Sequence, residues 1–300
     1  VFVGNKVTAS TSESELSDVQ EVLTFIDEFV RKKEKTIARI NDVINENTGL
    51  INERGVDLFQ HNLDPLFYVF GSKPEARVIY EDMMRTVFNS ESSADEPRLH
   101  IVNLKQIQGE VAMKIGMDGD YFGVINVGDA KKLTDKCAEI GIEADVEEFK
   151  SESLFSAINK PDSEIKVLIG SRKFTEGWNS WRVSTMGLIN FAKSEGSQAI
   201  QLFGRGVRLH GQSNCLKRSS AIERTISKPP KYIRCVETLT IFGVKSQYME
   251  DFKALMDEEG APTNDEIYTY TLPVLSRHED LKGKRLCVIK VKDGANFKKQ

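Results

Sequence analysis

The chain has 300 residues, a formal net charge of −4, and 40% apolar against 29% charged residues. That balance suits a globular chain with a core of its own, and leaves room for one large domain or two modest ones. It excludes a protein coated along its length by nucleic acid but not a local basic track, because phosphate contacts depend on clusters rather than on the sum. No run of about 18 apolar residues is present, so no membrane-spanning helix is expected. The four cysteines, Cys137, Cys215, Cys235 and Cys287, are far apart with no CxxC pair. Free thiols in a cytoplasmic protein are therefore expected, rather than a zinc site or a disulfide framework.

Val1-Phe2-Val3-Gly4 opens the chain as a strand already under way, with no basic start and apolar stretch behind it. The chain is expected to be a piece of a longer protein without a secretory leader. After a Ser/Thr/Glu loop, Ser17-Asp18-Val19-Gln20 reads as a capping box. Val19, Val22, Leu23, Ile26, Phe29 and Val30 then recur at helical spacing. Residues 31–35 form a charged patch on a solvated face, Ile37, Ile40, Val43 and Ile44 prolong the pattern, and Asn47-Thr48-Gly49 stops it. Residues 66–70 are predicted as a strand closed by Gly71, and 75–88 as a helix with Pro74 at its start. Residues 99–104 and 109–115 read as a strand pair. The block from about 31 to 118 is expected to be an α+β insertion.

The next stretch alternates strands with helices. Strands are predicted at 121–127, 144–149, 165–170 and 185–191, and helices at 130–140, 151–159 and from 197 onward. Near-continuous apolar runs in such strands indicate a parallel sheet covered on both faces, an α/β fold. Further on, a strand at 236–242, a helix at 246–256, and strands at 268–275 and 286–291 are predicted. The boundaries expected are a main domain over 1–245, carrying the insertion, and an accessory extension over 246–300. From Gln201 to Arg234 there are eight basic residues against the single acid Glu223. This is the local cluster expected of a nucleic-acid path, with a solvated loop as the competing explanation.

Two segments carry chemistry. One strand leads into Ser171-Arg172-Lys173-Phe174-Thr175-Glu176-Gly177-Trp178-Asn179. The next leads, through a helix, into Gln201-Leu202-Phe203-Gly204-Arg205-Gly206-Val207-Arg208. Working loops of parallel sheets lie at the carboxyl ends of strands, and both segments are expected there. Arg205 and Arg208, three apart, would share one side of a helical turn. Permanently charged guanidinium groups delivered from a facing domain suit the charge of a phosphoryl group in flight. Gly204 and Gly206 would leave room for that facing surface. Trp178 and Trp181 either pack the loop or stack on a nucleobase.

The order and spacing of these motifs resemble the second RecA-like domain of superfamily 2 DEAD/DEAH-type helicases. Thr175-Glu176-Gly177 looks like the fifth motif of that family and Gln201-x-x-Gly204-Arg205-x-x-Arg208 like the sixth. The wider text, 169–183 and 201–209, with 121–129 and 216–219, is similar to the restriction (Res) subunit of type III restriction enzymes and related defence helicases. The resemblance covers about 121–220 firmly, and 1–30 and 236–260 more weakly. It implies arginine fingers at Arg205 and Arg208, and Gln201 on nucleotide or water. It also implies coupling of nucleotide to DNA through Thr175, Glu176, Gly177 and Gly204, and nucleic-acid contacts at Arg172, Lys173, Lys217 and Arg218. The implied cofactor is ATP with Mg2+, held mainly by an N-terminal RecA-like domain of the same protein. DNA is the implied partner, with modification or nuclease subunits as further candidates.

No GxxxxGK followed by Ser or Thr occurs, so this piece alone is expected to be inactive as an ATPase. Pro161-Asp162 and Glu164-Ile165-Lys166 imitate a nuclease signature. They are contiguous, however, whereas metal-dependent cleavage needs carboxylates converging from separate strands. The four histidines show no metal or triad spacing. Two other classes remain as alternatives: a nucleic-acid-binding or assembly module that keeps the fold without turnover, and an RNA helicase domain.

Overall fold

The computed structural model describes residues 1–4, 17–60, 63–91, 96–148, 152–170, 180–190, 196–207, 210–222 and 233–244. All lie in the unit Val1–Leu255. The elements expected at 246–256, 268–275 and 286–291 fall outside the described residues, as does Cys287.

β1 (Phe2–Gly4) is followed by α1 (Asp18–Arg31), α2 (Lys33–Ile44), α3 (Asp64–Phe70) and α4 (Ala76–Thr86). Then come β2 (Leu99–Leu104), β3 (Glu110–Ile115), β4 (Gly123–Asn126), α5 (Ala130–Glu139), β5 (Glu143–Glu147) and β6 (Val167–Gly170). β7 (Thr185–Ile189), α6 (Gly196–Gly206), α7 (Ile233–Val236) and β8 (Thr240–Val244) complete the described chain. The strands form one eight-stranded sheet in the order β5-β2-β3-β4-β6-β1-β7-β8. It is parallel except at the β2–β3 and β3–β4 pairs. This is the α/β architecture the alternation predicts, and it is compatible with a RecA-like fold.

The two faces are covered by different helices. On one, Val19, Leu23 and Ile26 of α1, Tyr80 and Met84 of α4, and Leu133 and Cys137 of α5 pack with Ile101, Met113, Ile125 and Ile169 of the sheet. On the other, Leu202 and Phe203 of α6 meet Val3, Val124, Leu168 and Leu188. Adjacent residues such as Val124 and Ile125 divide between the faces, as the two-residue period of a strand requires. Gly187 leaves the space for two rings from flanking strands: a Cβ there would lie 2.8 Å from Phe2 and 2.9 Å from Phe242. Those rings meet edge to face, with centroids 6.1 Å apart.

The capping box forms as predicted. The amide of Gln20 donates to Ser17 Oγ, and the amide of Ser17 donates back to Gln20 Oε1. Residues 66–70 are not a strand. They belong to α3, which has Pro65 in its first turn and ends at Gly71 in the left-handed conformation. A five-residue apolar run cannot by itself distinguish strand from buried helix, and here the punctuation by Pro and Gly decided it. The expected insertion also reaches into the sheet, since β2 and β3 lie between β5 and β4. No helix of the described residues is long and apolar enough to cross a membrane.

Candidate functional site

The parallel strands end together at one edge, at Asn126, Gly170, Gly4 and Ile189. Two helices begin near it. α1 is capped by Ser17, and α5 by Asp129, whose Oδ1 accepts the amide of Lys132 at 2.9 Å. β1 is followed by α1 on one face and the neighbouring β7 by α6 on the other. The crevice between their carboxyl ends is therefore a topological switch point, the usual ligand position in an open parallel sheet.

Side chains that sequence reasoning missed lie at this edge. Asp18 is buried there, and its Oδ1 accepts a hydrogen bond from Asn190 Nδ2 at 2.5 Å. Gly4 is what admits it: a Cβ at Gly4 would sit 2.7 Å from Asp18 Cβ. In the sequence Asp18 reads only as the acid expected in a first helical turn, and its partner is 172 residues away. Glu110, beside Asn126 in the register, is also buried. Its carboxylate accepts the hydroxyl of Ser153 at 2.5 Å and the amide of Leu154 at 3.0 Å, fastening the chain before the 3-10 turn Ser156–Asn159. Asn126 Oδ1 is buried and accepts no hydrogen bond from a described residue, next to Gly170, from which the Ser171 segment leaves. That segment, with Arg172, Lys173, Thr175, Glu176, Gly177 and Trp178, lies outside the described residues, as does Arg208.

α6 does not keep its motif at this edge. It returns across the sheet, so its last turn lies beside the amino ends of β7 and β8. A Cβ on Gly206 would meet Leu239 at 2.7 Å and Met186 at 2.9 Å. The expectation that both motif segments sit at the carboxyl ends is therefore corrected for Arg205 and Gly206. An 11-residue helix spans about 16 Å, enough to carry its C-terminus to the far side of a five-residue strand. The two glycines also separate. Gly206 is filled by its own chain, whereas Gly204 is exposed, with no described residue within 4 Å of the Cβ it lacks. Only Gly204 leaves room for an outside surface.

Ile200, on α6, is 49% exposed and Val207, just past its end, 57%, with Gln201 and Gly204 between them also open to solvent. Arg205 is half-buried at the end of the same helix. Nearby in sequence, Trp181 stacks on His210, with ring centroids 5.2 Å apart and planes 26° from parallel. Trp181 therefore packs on its own chain while remaining 43% exposed. Arg182 is a clamp that donates to the carbonyls of Ile158 and Ile165 at 2.5 and 3.2 Å. Lys217 and Arg218 are exposed. The loop bearing them is anchored at Ser219, whose amide and hydroxyl donate to Glu237 at 2.7 and 3.0 Å. Among the described residues, no group of three or more His, Cys, Asp or Glu is placed to hold a metal ion. Lys166 pairs with Glu164 at 3.4 Å on the surface, the local contact expected of a contiguous stretch.

No family model, curated protein or solved structure matches the chain. The class defined by the structure is an α/β protein with a mostly parallel sheet, helices on both faces, and the exposed apolar side chains Ile200 and Val207 on and just after α6.

Proposed function

We propose that this chain is the second motor domain of an ATP-dependent DNA helicase or translocase, of the kind found in the Res subunit of type III restriction enzymes and working in the cytoplasm. The observation that carries the proposal is the outer face of α6. Ile200 and Gly204 are exposed on a helix whose inner face, Leu202 and Phe203, is core, Val207 is exposed just past its end, and Arg205 lies in its last turn. Exposed Ile200 and Val207 with a glycine between them suit close contact with another domain. Arg205, joined by Arg208, meets the developing charge on the phosphates of an ATP–Mg2+ complex held by that other domain. Gln201 contacts the nucleotide or the attacking water. Thr175, Glu176 and Gly177 couple nucleotide state to DNA, with Arg172, Lys173, Lys217 and Arg218 as phosphate contacts. The alternation of strands and helices and the mostly parallel sheet support a motor fold. The eight basic residues of 201–234 support a nucleic-acid path beside it.

The test uses the full-length protein. Arg205→Ala should lower DNA-stimulated ATP hydrolysis by about 10³–10⁵-fold, the usual weight of an arginine finger. Unchanged stimulated turnover rejects the assignment. Stimulation by duplex DNA, single-stranded DNA and RNA, measured side by side, tests the polymer; equal stimulation by RNA rejects the preference for DNA.

A further inference from the structure

A groove of about 890 Å³ runs between α1, α2, α4 and the segment 48–70, away from the strand ends and from α6. Its floor is apolar, with Phe29, Ile40, Leu66 and Met83 among the lining residues. Its rims carry Phe25, 53% exposed, Leu50, 55% exposed, and the exposed rings of Phe59 and Phe70.

The wall that bears Leu50 and Phe59 is held by polar bonds rather than by a core. Asp57 Oδ2 accepts the amide and hydroxyl of Thr48 at 2.7 and 2.8 Å, and its Oδ1 accepts the amide of Phe59 at 2.9 Å. Asn52 Oδ1 accepts the amides of Arg54 and Val56 at 2.9 and 3.0 Å. The amide of Leu58 donates to the carbonyl of Leu50 at 2.8 Å. These bonds fix a loop that displays large apolar side chains to water, so the display is built in advance of any occupant.

We propose that this groove docks an acidic amphipathic helix of a partner protein. A small ligand on the floor would leave Phe25 and Leu50 in water. A helix covers both, seating apolar residues at i, i+3 or i+4, and i+7 in the trough while its flanks rest on the rims. The charges on the rim select its sign. Glu28 is held by Lys32 at 2.5 Å, and Asp82 by Arg85 at 2.5 Å. Lys35 and Arg39 also line the groove, are exposed, and form no ion pair with a described residue. Asp42 is the one lining acid of the described residues outside such pairs. Four residues apart on α2, the two cations lie about 6 Å apart along the axis, the spacing of acids at i and i+4 on an accompanying helix. This docking is independent of the motor assignment.

The whole chain is titrated with a fluorescent 18-residue peptide bearing leucines at helical spacing and glutamates on its flanks, and with a twin in which lysines replace the glutamates. The glutamate peptide should bind at least about tenfold more tightly, and the double variant Lys35→Glu, Arg39→Glu should invert that order. The double variant Leu50→Ser, Phe59→Ser, at exposed rim positions, should abolish binding of both while the circular dichroism of the chain is unchanged. Equal binding of the two peptides overturns the proposal, as does binding that survives the serine variant. So does a chain that takes up oleate and ignores both peptides. A concentration-dependent dimer in sedimentation, lost in the serine variant, overturns it in favour of a second copy of this chain.

Discussion

Gly204 and Gly206 sit two residues apart in α6 and answer to different constraints. A Cβ at Gly206 meets Leu239 and Met186, while one at Gly204 meets no described residue. Gly206→Ala should therefore lower stability by up to about 1 kcal/mol, because the ends of the Leu239 and Met186 side chains must shift to admit the Cβ. Gly204→Ala should leave it unchanged or raise it by up to about 1 kcal/mol, since alanine is the better helix former. Urea midpoints of the two variants compare them directly, and equal losses refute the distinction. Glu110 is a second sensitive position. Glu110→Ala removes the acceptor of Ser153 and Leu154 and should cost about 1–3 kcal/mol in the same measurement. Cys137 adds a pH dependence. Burial pushes its thiol up to about 12, whereas an unfolded thiol ionises near about 8.5. Between those values the unfolded chain binds fewer protons than the folded one. Stability should therefore fall as pH rises, by up to about 1.4 kcal/mol per unit, until the folded thiol also titrates. Unfolding measured between about pH 9 and pH 10 should show this slope, and Cys137→Ala should remove that share of it. At higher pH Tyr121 adds to the same trend, because burial and its hydrogen bond to Glu147 raise its pKa.

At the scale of elements, whatever depends on near neighbours in the chain could be read from the sequence. The Ser17–Gln20 box, the amphipathic face of α1 and the buried strands β4, β6 and β7 all have signals a few residues long. α3 failed that test because five apolar residues satisfy either period. The sequence placed the α6 motif on the right helix but at the wrong end of it, since periodicity carries no information on how far a helix travels back across a sheet. The pairing of Asp18 with Asn190 and that of Glu110 with Ser153 depend on topology, and no local pattern announces them. The same topology sets a gradient of protection. Central β4 and β6, buried on both faces, should exchange amide hydrogens only through global opening. β5 and β8, at the ends of the described sheet and largely exposed, should exchange through local fraying. Hydrogen exchange followed by mass spectrometry checks this, and equal protection of β5 and β4 counts against it.

For the molecule as a whole, the unequal treatment of its apolar surface is informative. Three clusters of the described residues are closed on the sheet, while Ile200, Val207 and the groove beside α2 remain open. Each opening has its own variants and its own readout, ATP turnover for one and peptide affinity for the other, so either assignment can fail alone. The position of β1 has a further consequence, in the order of synthesis. It lies between β6 and β7, with Phe2 paired to Ile169 on one side and to Gly187 on the other. The backbone nitrogen of Val1 donates to the carbonyl of Thr185, 184 positions along the chain. At about 5–20 residues per second, a ribosome needs roughly 10–40 s to make what separates them. Until β6 emerges both edges of β1 are vacant, exposed to chaperones and to neighbouring nascent chains, and β1 is flanked on both sides only when β7 leaves the exit tunnel.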